Sequence, residues 1–186
     1  GNSGTQEAFY PAALPLTIAV GATDSRDHVT TFSSYGPHID VVAPGESILS
    51  LRALTTDMYA LPPSNEPGVH VIADDYYEAS GTSMACPMVA AIAGYLKSVS
   101  PGITPSYAQE IIQLSAKDLS DPYGVGGNYP GRDNYSGFGR VNLQQALALA
   151  PARRARIESP GRRQLLSGIV NITGIADGAG SSGYTL

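Results

Sequence analysis

The sequence predicts an α/β protein: a parallel β-sheet with flanking helices, followed by the opening strands of a β-sandwich-like module. Three observations carry this. The run Leu16-Thr17-Ile18-Ala19-Val20-Gly21-Ala22 is apolar, β-branched and bounded by turn residues, as a strand buried in a parallel sheet should be. Residues 83–99, 106–116 and 141–149 read as helices, and helices flanking an apolar parallel sheet form an α/β layer arrangement. The run Gly168-Ile169-Val170-Asn171-Ile172-Thr173-Gly174-Ile175-Ala176 alternates and is β-branched, the pattern of a further strand.

In chain order the prediction is strand, loop, strand, long loop, then helix. The 83–99 helix is small and apolar. Pro87 falls in its first turns, where a missing N–H costs least. Gly94 and the alanines allow close packing on the sheet, and Pro101-Gly102 ends the helix. The 106–116 helix follows Pro105, takes Ser106 as its cap and presents Ile111, Ile112 and Leu114 as apolar positions. Asn142 leads the 141–149 helix. Residues 52–77 are longer than a simple connection needs, and a long loop just before a helix start is often functional. A cleft rim or a cation site fits it, although Asp74-Asp75 falls far short of a calcium loop. Residues 178–183 read as a turn, and Tyr184-Thr185-Leu186 opens another strand. Three parts result: a main domain over 1–150, an arginine-rich linker over 151–166 and an incomplete β module over 167–186.

Composition narrows the class. The 186 residues mix polar, charged and apolar types in globular proportions, and no segment is long and apolar enough to span a membrane. The formal charge is −5, yet Arg153, Arg154, Arg156, Arg162 and Arg163 lie together. Pro151, Pro160 and Gly161 punctuate that cluster and no aromatic platform accompanies it, so a solvated linker is expected rather than a nucleic-acid surface. The lone Cys86 can form no internal disulfide and is expected as a small buried residue.

The chemistry concentrates in Ala79-Ser80-Gly81-Thr82-Ser83-Met84-Ala85-Cys86-Pro87-Met88-Val89-Ala90. A Gly-Thr-Ser turn runs into a small-residue helix with Ser83 at its start. A helix start offers free N–H groups and a partial positive charge, which suits an oxygen nucleophile that passes through an oxyanion. The plainer role for Thr82 or Ser83 is to cap the helix. The wider string resembles the nucleophile region of subtilisin-like serine proteases, the subtilases, whose pattern is Gly-Thr-Ser-Met-Ala-x-Pro-His-Val-Ala-Gly. Residues 81–85 match, as do Pro87, Val89 and Ala90, while Met88 stands in place of His and Ala91 in place of Gly. Gly1-Asn2-Ser3-Gly4 resembles the family's Gly-Asn segment. Thr31-Phe32-Ser33-Ser34-Tyr35-Gly36, Ile39-Asp40-Val41-Val42-Ala43-Pro44-Gly45 and Ser136-Gly137-Phe138-Gly139-Arg140-Val141-Asn142 resemble three more of its segments, in the family's order.

The resemblance, covering about residues 1–150, implies a secreted serine endopeptidase. It would act on protein or peptide substrates as a monomer, with no nucleic-acid or membrane partner. It implies Ser83 as nucleophile and Asn2 as oxyanion donor. The triad's Asp and His precede the serine in subtilisin's chain order. Of His28, His38 and His70 none has the family's His-Gly-Thr setting, and each is expected at the surface. Gly1 is not an initiator residue, so a C-terminal part of a longer chain is expected, with both triad partners upstream and residues 1–186 inactive alone. No cofactor is required. A structural calcium or monovalent cation is possible but not predicted, with Asp40 as the candidate by resemblance and His38 standing where a second carboxylate could be. The rival reading is a catalytically inactive binding or scaffold protein on a degenerate subtilase fold. An unrelated α/β hydrolase is disfavoured, because Ala85 occupies the place of the second glycine of Gly-x-Ser-x-Gly.

Overall fold

In the computed structural model, residues 1–52, 69–72, 75–122, 130–150, 154–159, 167, 171 and 173–177 are described. At the centre, strands β1 (Val20–Thr23) and β2 (Val41–Pro44) pair in parallel, with Val20 opposite Val41 and Thr23 opposite Pro44. Parallel neighbours need a long crossover, and residues 24–40 supply it. The strands are short and small because a helix lies directly on them. Helix α1 (Thr82–Val99) buries Thr82, Ala85, Val89, Ile92 and Leu96, spaced three and four apart on one face. That face joins Ala22, Val41 and Ala43 in one core with Ile111 and Ile112 of helix α2 (Pro105–Leu114) and Ala146 of helix α3 (Leu143–Leu149).

The closing segment completes the layer. Val42 N–H donates to Gly139 O at 3.0 Å and Val141 N–H to Val42 O at 3.0 Å, so residues 139–141 line the free edge of β2. Gly139 has φ 111°, and a Cβ there would run into the Lys117 carbonyl, so only glycine lets the two backbones close. Asp27 ties the same corner together, accepting from Lys117 Nζ at 3.0 Å and Arg140 Nη1 at 2.7 Å.

Several expectations need correction. The strand expected over 16–22 begins only at Val20. The Thr17 hydroxyl sits among the carbonyls of Ala12 (2.7 Å), Leu14 (2.8 Å) and Pro11 (3.3 Å), holding that stretch in a turn and leaving Leu16 exposed. Helix α2 starts one residue early: Thr104, not Ser106, accepts from Tyr107 N–H, which puts Pro105 at the first helical position where no N–H is missed. Asn142 caps α3 as expected, accepting from Gln145 N–H at 3.1 Å. The long loop is bordered by a sheet that the sequence did not reveal. Strands β3 (Ile48–Leu51), β4 (Val69–Ile72) and β5 (Tyr76–Ala79) form an antiparallel sheet with β5 in the middle. Residues 53–68 and 73–74, including Pro62-Pro63 and Asp74, lie outside the described residues. The arginine-rich segment is in part a strand: β6 (Arg154–Ser159) pairs antiparallel with β7 (Thr173–Asp177), Arg154 opposite Asp177. The turn and strand expected over 178–186 lie outside the described residues.

Candidate active site

Helix α1 starts where it does because two glycines bring its first turn onto the end of β2. Gly81 N–H donates to Gly45 O at 2.7 Å. A Cβ on Gly45 would lie 2.7 Å from Ala22 Cβ and 2.8 Å from Gly81 O, so the contact requires glycine. Ser83 is the second residue of α1, and its exposed side chain stands beyond the carboxyl ends of β1 and β2. In open α/β sheets that end is where ligands bind. The first turn of α1 holds no acidic residue of its own to offset its positive end.

Asn2 reaches this turn from the start of the chain. Residues 1–5 run along residues 32–35: Gly4 N–H donates to Phe32 O (2.8 Å), Ser34 N–H to Gly1 O (2.9 Å) and Tyr35 N–H to Thr5 O (3.0 Å). The Ser34 hydroxyl accepts from Ser3 N–H at 3.3 Å, and the Ser33 hydroxyl accepts from Ala22 N–H of β1 at 3.0 Å. The segment holding Asn2 is thereby fixed to the sheet. The Asn2 side chain then crosses to α1, where its Oδ1 accepts from Thr82 N–H at 2.9 Å and from Thr82 Oγ1 at 2.7 Å. The backbone N–H, which can only donate, sets which end of the amide faces Thr82. The Nδ2 end faces Gly81, 3.2 Å from where a Cβ there would be.

Thr82 therefore does not cap the helix. The N-cap is Gly81, with no side-chain capping bond, and the threonine hydroxyl is spent on Asn2 instead. Sequence reasoning missed this role. Its one signal was Thr immediately before Ser83, which reads equally as a cap.

The structure brings Ser83 and Asn2 together and leaves the histidines elsewhere. His28 Nδ1 pairs with Asp24 Oδ2 at 3.4 Å within its own turn. His38 lines a cleft of about 580 Å³ with Asp40, Gln113 and Arg132, at the amino ends of β1 and β2, opposite Ser83. His70 lies on β4. Cys86 is exposed, against expectation: the buried face of α1 centres on Ala85, Val89, Ile92 and Leu96, and position 86 falls on its margin. Met88, the departure from the subtilase pattern, is half-buried and packs against the core.

Both carboxylate oxygens of Asp40 are engaged. Its Oδ2 accepts from Ala19 N–H at 2.8 Å and its Oδ1 from Gln113 Nε2 at 2.9 Å. The nearby carbonyls are engaged as well: those of residues 11, 12 and 14 surround the Thr17 hydroxyl, and Arg132 Nη2 donates to Pro37 O (2.5 Å) and Ile39 O (3.2 Å).

Comparison with known proteins identifies the family. The model of the Subtilase family matches residues 1–139. The chain is 32% identical over 165 residues to the cell wall-associated protease of Bacillus subtilis (strain 168), covering 81% of this chain and 16% of that protein. It is 30% identical over 151 residues to the halolysin-like extracellular serine protease Nep of Natrialba magadii, covering 81% of this chain and 23% of that one. Among solved structures, the patellamide maturation protease PatA superposes with a TM-score of 0.59 at 29% identity, over 81% of this chain and 48% of that one. The chain thus spans less than half the length of each of these relatives.

Proposed function

The chain belongs to the subtilase family, and from that premise we propose that it carries the nucleophile and one oxyanion donor of a serine endopeptidase. Ser83 Oγ attacks the carbonyl carbon of the scissile peptide bond and gives its proton to a histidine base. The oxyanion that forms accepts hydrogen bonds from Asn2 Nδ2 and from the Ser83 N–H, a first-turn group with no intrahelical acceptor. Collapse breaks the C–N bond, the leaving amine takes the proton from the histidine, and water then hydrolyses the acyl-enzyme by the same route. The histidine and the aspartate that orients it lie outside residues 1–186. Substrates are proteins or peptides, the enzyme works as a monomer without a cofactor, and it acts outside the cell, as the name of the halolysin-like relative says of that protein.

One observation carries this reading. An exposed serine heads a helix, and the residue just before it, Thr82, is bonded to an asparagine 80 positions away in the chain. The test is labelling of the full-length protein with a fluorophosphonate, together with turnover of a peptide substrate. Labelling should map to Ser83, and Ser83→Ala should abolish both. In subtilisin, a member of this family, loss of the nucleophile costs about 2 × 10⁶ in kcat, and loss of the oxyanion asparagine about 10²–10³. Those are values measured on that enzyme and are expected to carry over to Ser83→Ala and Asn2→Ala. An intact protein that neither labels at Ser83 nor cleaves peptides would be the inactive scaffold instead.

A further inference from the structure

We infer that one face of the β3–β5–β4 sheet is an exosite for the peptide substrate, taking a basic residue near the scissile bond and an apolar residue two positions further out. The inference rests on the proposed function above and names the substrate class that the site selects.

The sheet is continuous with the turn that carries Ser83. Residues 45–47 lead into β3 and residues 80–81 lead out of β5. Gly81 N–H donates to Gly45 O, and the Ser80 hydroxyl accepts from Ser47 N–H at 2.9 Å. The row Ile48–Ala79 is thereby clamped beside the start of α1, and the strands run outward from it. Residues directly opposite one another in an antiparallel pair point to the same side, and alternate residues along a strand share a face. The register sets Leu49 opposite Glu78, and sets Leu51 and Ile72 on either side of Tyr76. These five residues share one face in two rows. The outer row, Leu51–Tyr76–Ile72, is apolar across all three strands. Leu51 is 74% exposed, Tyr76 and Ile72 43% each, and none of them belongs to a core cluster. Single exposed apolar side chains are ordinary, whereas a contiguous row of them marks an interaction surface.

The inner row adds a charge. Glu78 is half-buried, and among the described residues no cation or hydrogen-bond donor pairs with its carboxylate. An acidic group of this kind selects a cationic partner by complementarity. An extended peptide meets both rows at once, because its alternate side chains project on one face about 7 Å apart, the step that separates Glu78 from Tyr76 along β5. A substrate held at Ser83 lies at the near end of the sheet, so its own continuation is the occupant that reaches the face. The basic side chain meets Glu78, and the apolar one lies across Leu51, Tyr76 and Ile72.

The experiment is hydrolysis by the full-length protein of internally quenched peptides that share one cleaved bond. Lys and Leu are placed two apart at successive distances on either side of that bond, with Lys the nearer. Control peptides carry Ser for Leu or Glu for Lys. One placement should raise kcat/KM about tenfold over each of its controls. Leu51→Ser should erase the advantage of Leu over Ser and keep that of Lys over Glu. Glu78→Gln should do the reverse. Absence of a favoured placement, or preferences that survive both variants, would overturn the inference. Losses of equal size on every peptide would assign the sheet to folding and overturn it too. Concentration-dependent dimerisation that Leu51→Ser abolishes would assign the face to a second copy instead. A wild-type protein that cleaves none of the peptides fails the proposed function, and the exosite is then read from binding of the same peptides, labelled for fluorescence anisotropy. Tighter binding of the Lys- and Leu-bearing peptide, weakened in both variants, would support the exosite; equal binding of all the peptides would overturn it.

Discussion

The parallel pair β1–β2 and the antiparallel sheet β3–β5–β4 follow one another in the chain and are built in opposite ways. In the first, Ala22, Val41 and Ala43 have no exposed surface and α1 lies directly on them. In the second, Leu49 is 57% exposed and Leu51 74%. The first is held by close packing of small side chains, the second chiefly by its backbone ladder. Both candidate site residues depend on the first: Ser83 through α1, Asn2 through the anchorage of residues 32–35 on β1. Groups that must meet within tenths of an ångström are set on elements locked by packing.

The largest expected effect tests that contrast directly. Leu96 in α1 is fully buried, so Leu96→Ala should cost about 2–5 kcal/mol through lost transfer energy and the cavity left behind. Leu51→Ala, at an exposed position of β3, should fall within about 0.5 kcal/mol of wild type. Urea unfolding of each variant measures both. Equal costs would mean that the β3–β5–β4 sheet belongs to the same packed unit, and the comparison would break.

A smaller effect sharpens the link between packing and site. Gly45→Ala forces a methyl group to within 2.8 Å of Gly81 O, the group that leads into Ser83. Overpacking of this kind costs about 1–3 kcal/mol. The more telling readout is the rate of fluorophosphonate labelling at Ser83, which should fall even at temperatures where the variant is fully folded. An unchanged rate would show that the Gly45–Gly81 contact does not set the position of the serine.

The same contrast explains what the sequence made legible. The α1 helix was readable because it rests on local spacing, and Asn2 and Ser83 were singled out because each sits in a motif. Burial along α1 follows the positions three and four apart that a helix dictates. The β3–β5–β4 sheet was not readable. Its strands have four residues each, too few to show an alternation, and β3 meets β5 only across a long intervening segment. Thr17 was misread for a related reason. An apolar β-branched run looks the same whether it pairs or, as here, spends a hydroxyl on the carbonyls behind it. Thr82 was ambiguous because its partner lies 80 residues away, beyond the reach of any local pattern.

The smallest effect concerns the turn that leaves β1. Asp24 lies just past Thr23, and its Oδ1 accepts from Arg26 N–H at 2.8 Å and His28 N–H at 2.9 Å. Burial alone would raise its pKa, but the His28 and Arg26 N–H groups, together with the charges of both side chains, outweigh that and hold the carboxyl below its ordinary value. A depressed carboxyl stabilises the fold above its unfolded pKa, about 3.9, and loses that contribution as pH falls through the lower folded value. Wild type should therefore melt above Asp24→Asn at about pH 5, and the gap should close as the pH falls toward about 2. The turn belongs to the tightly bonded side of the comparison only if that gap closes. A gap that stays constant over the same range would mean that the carboxylate charge contributes nothing there and that the turn is held by its backbone alone.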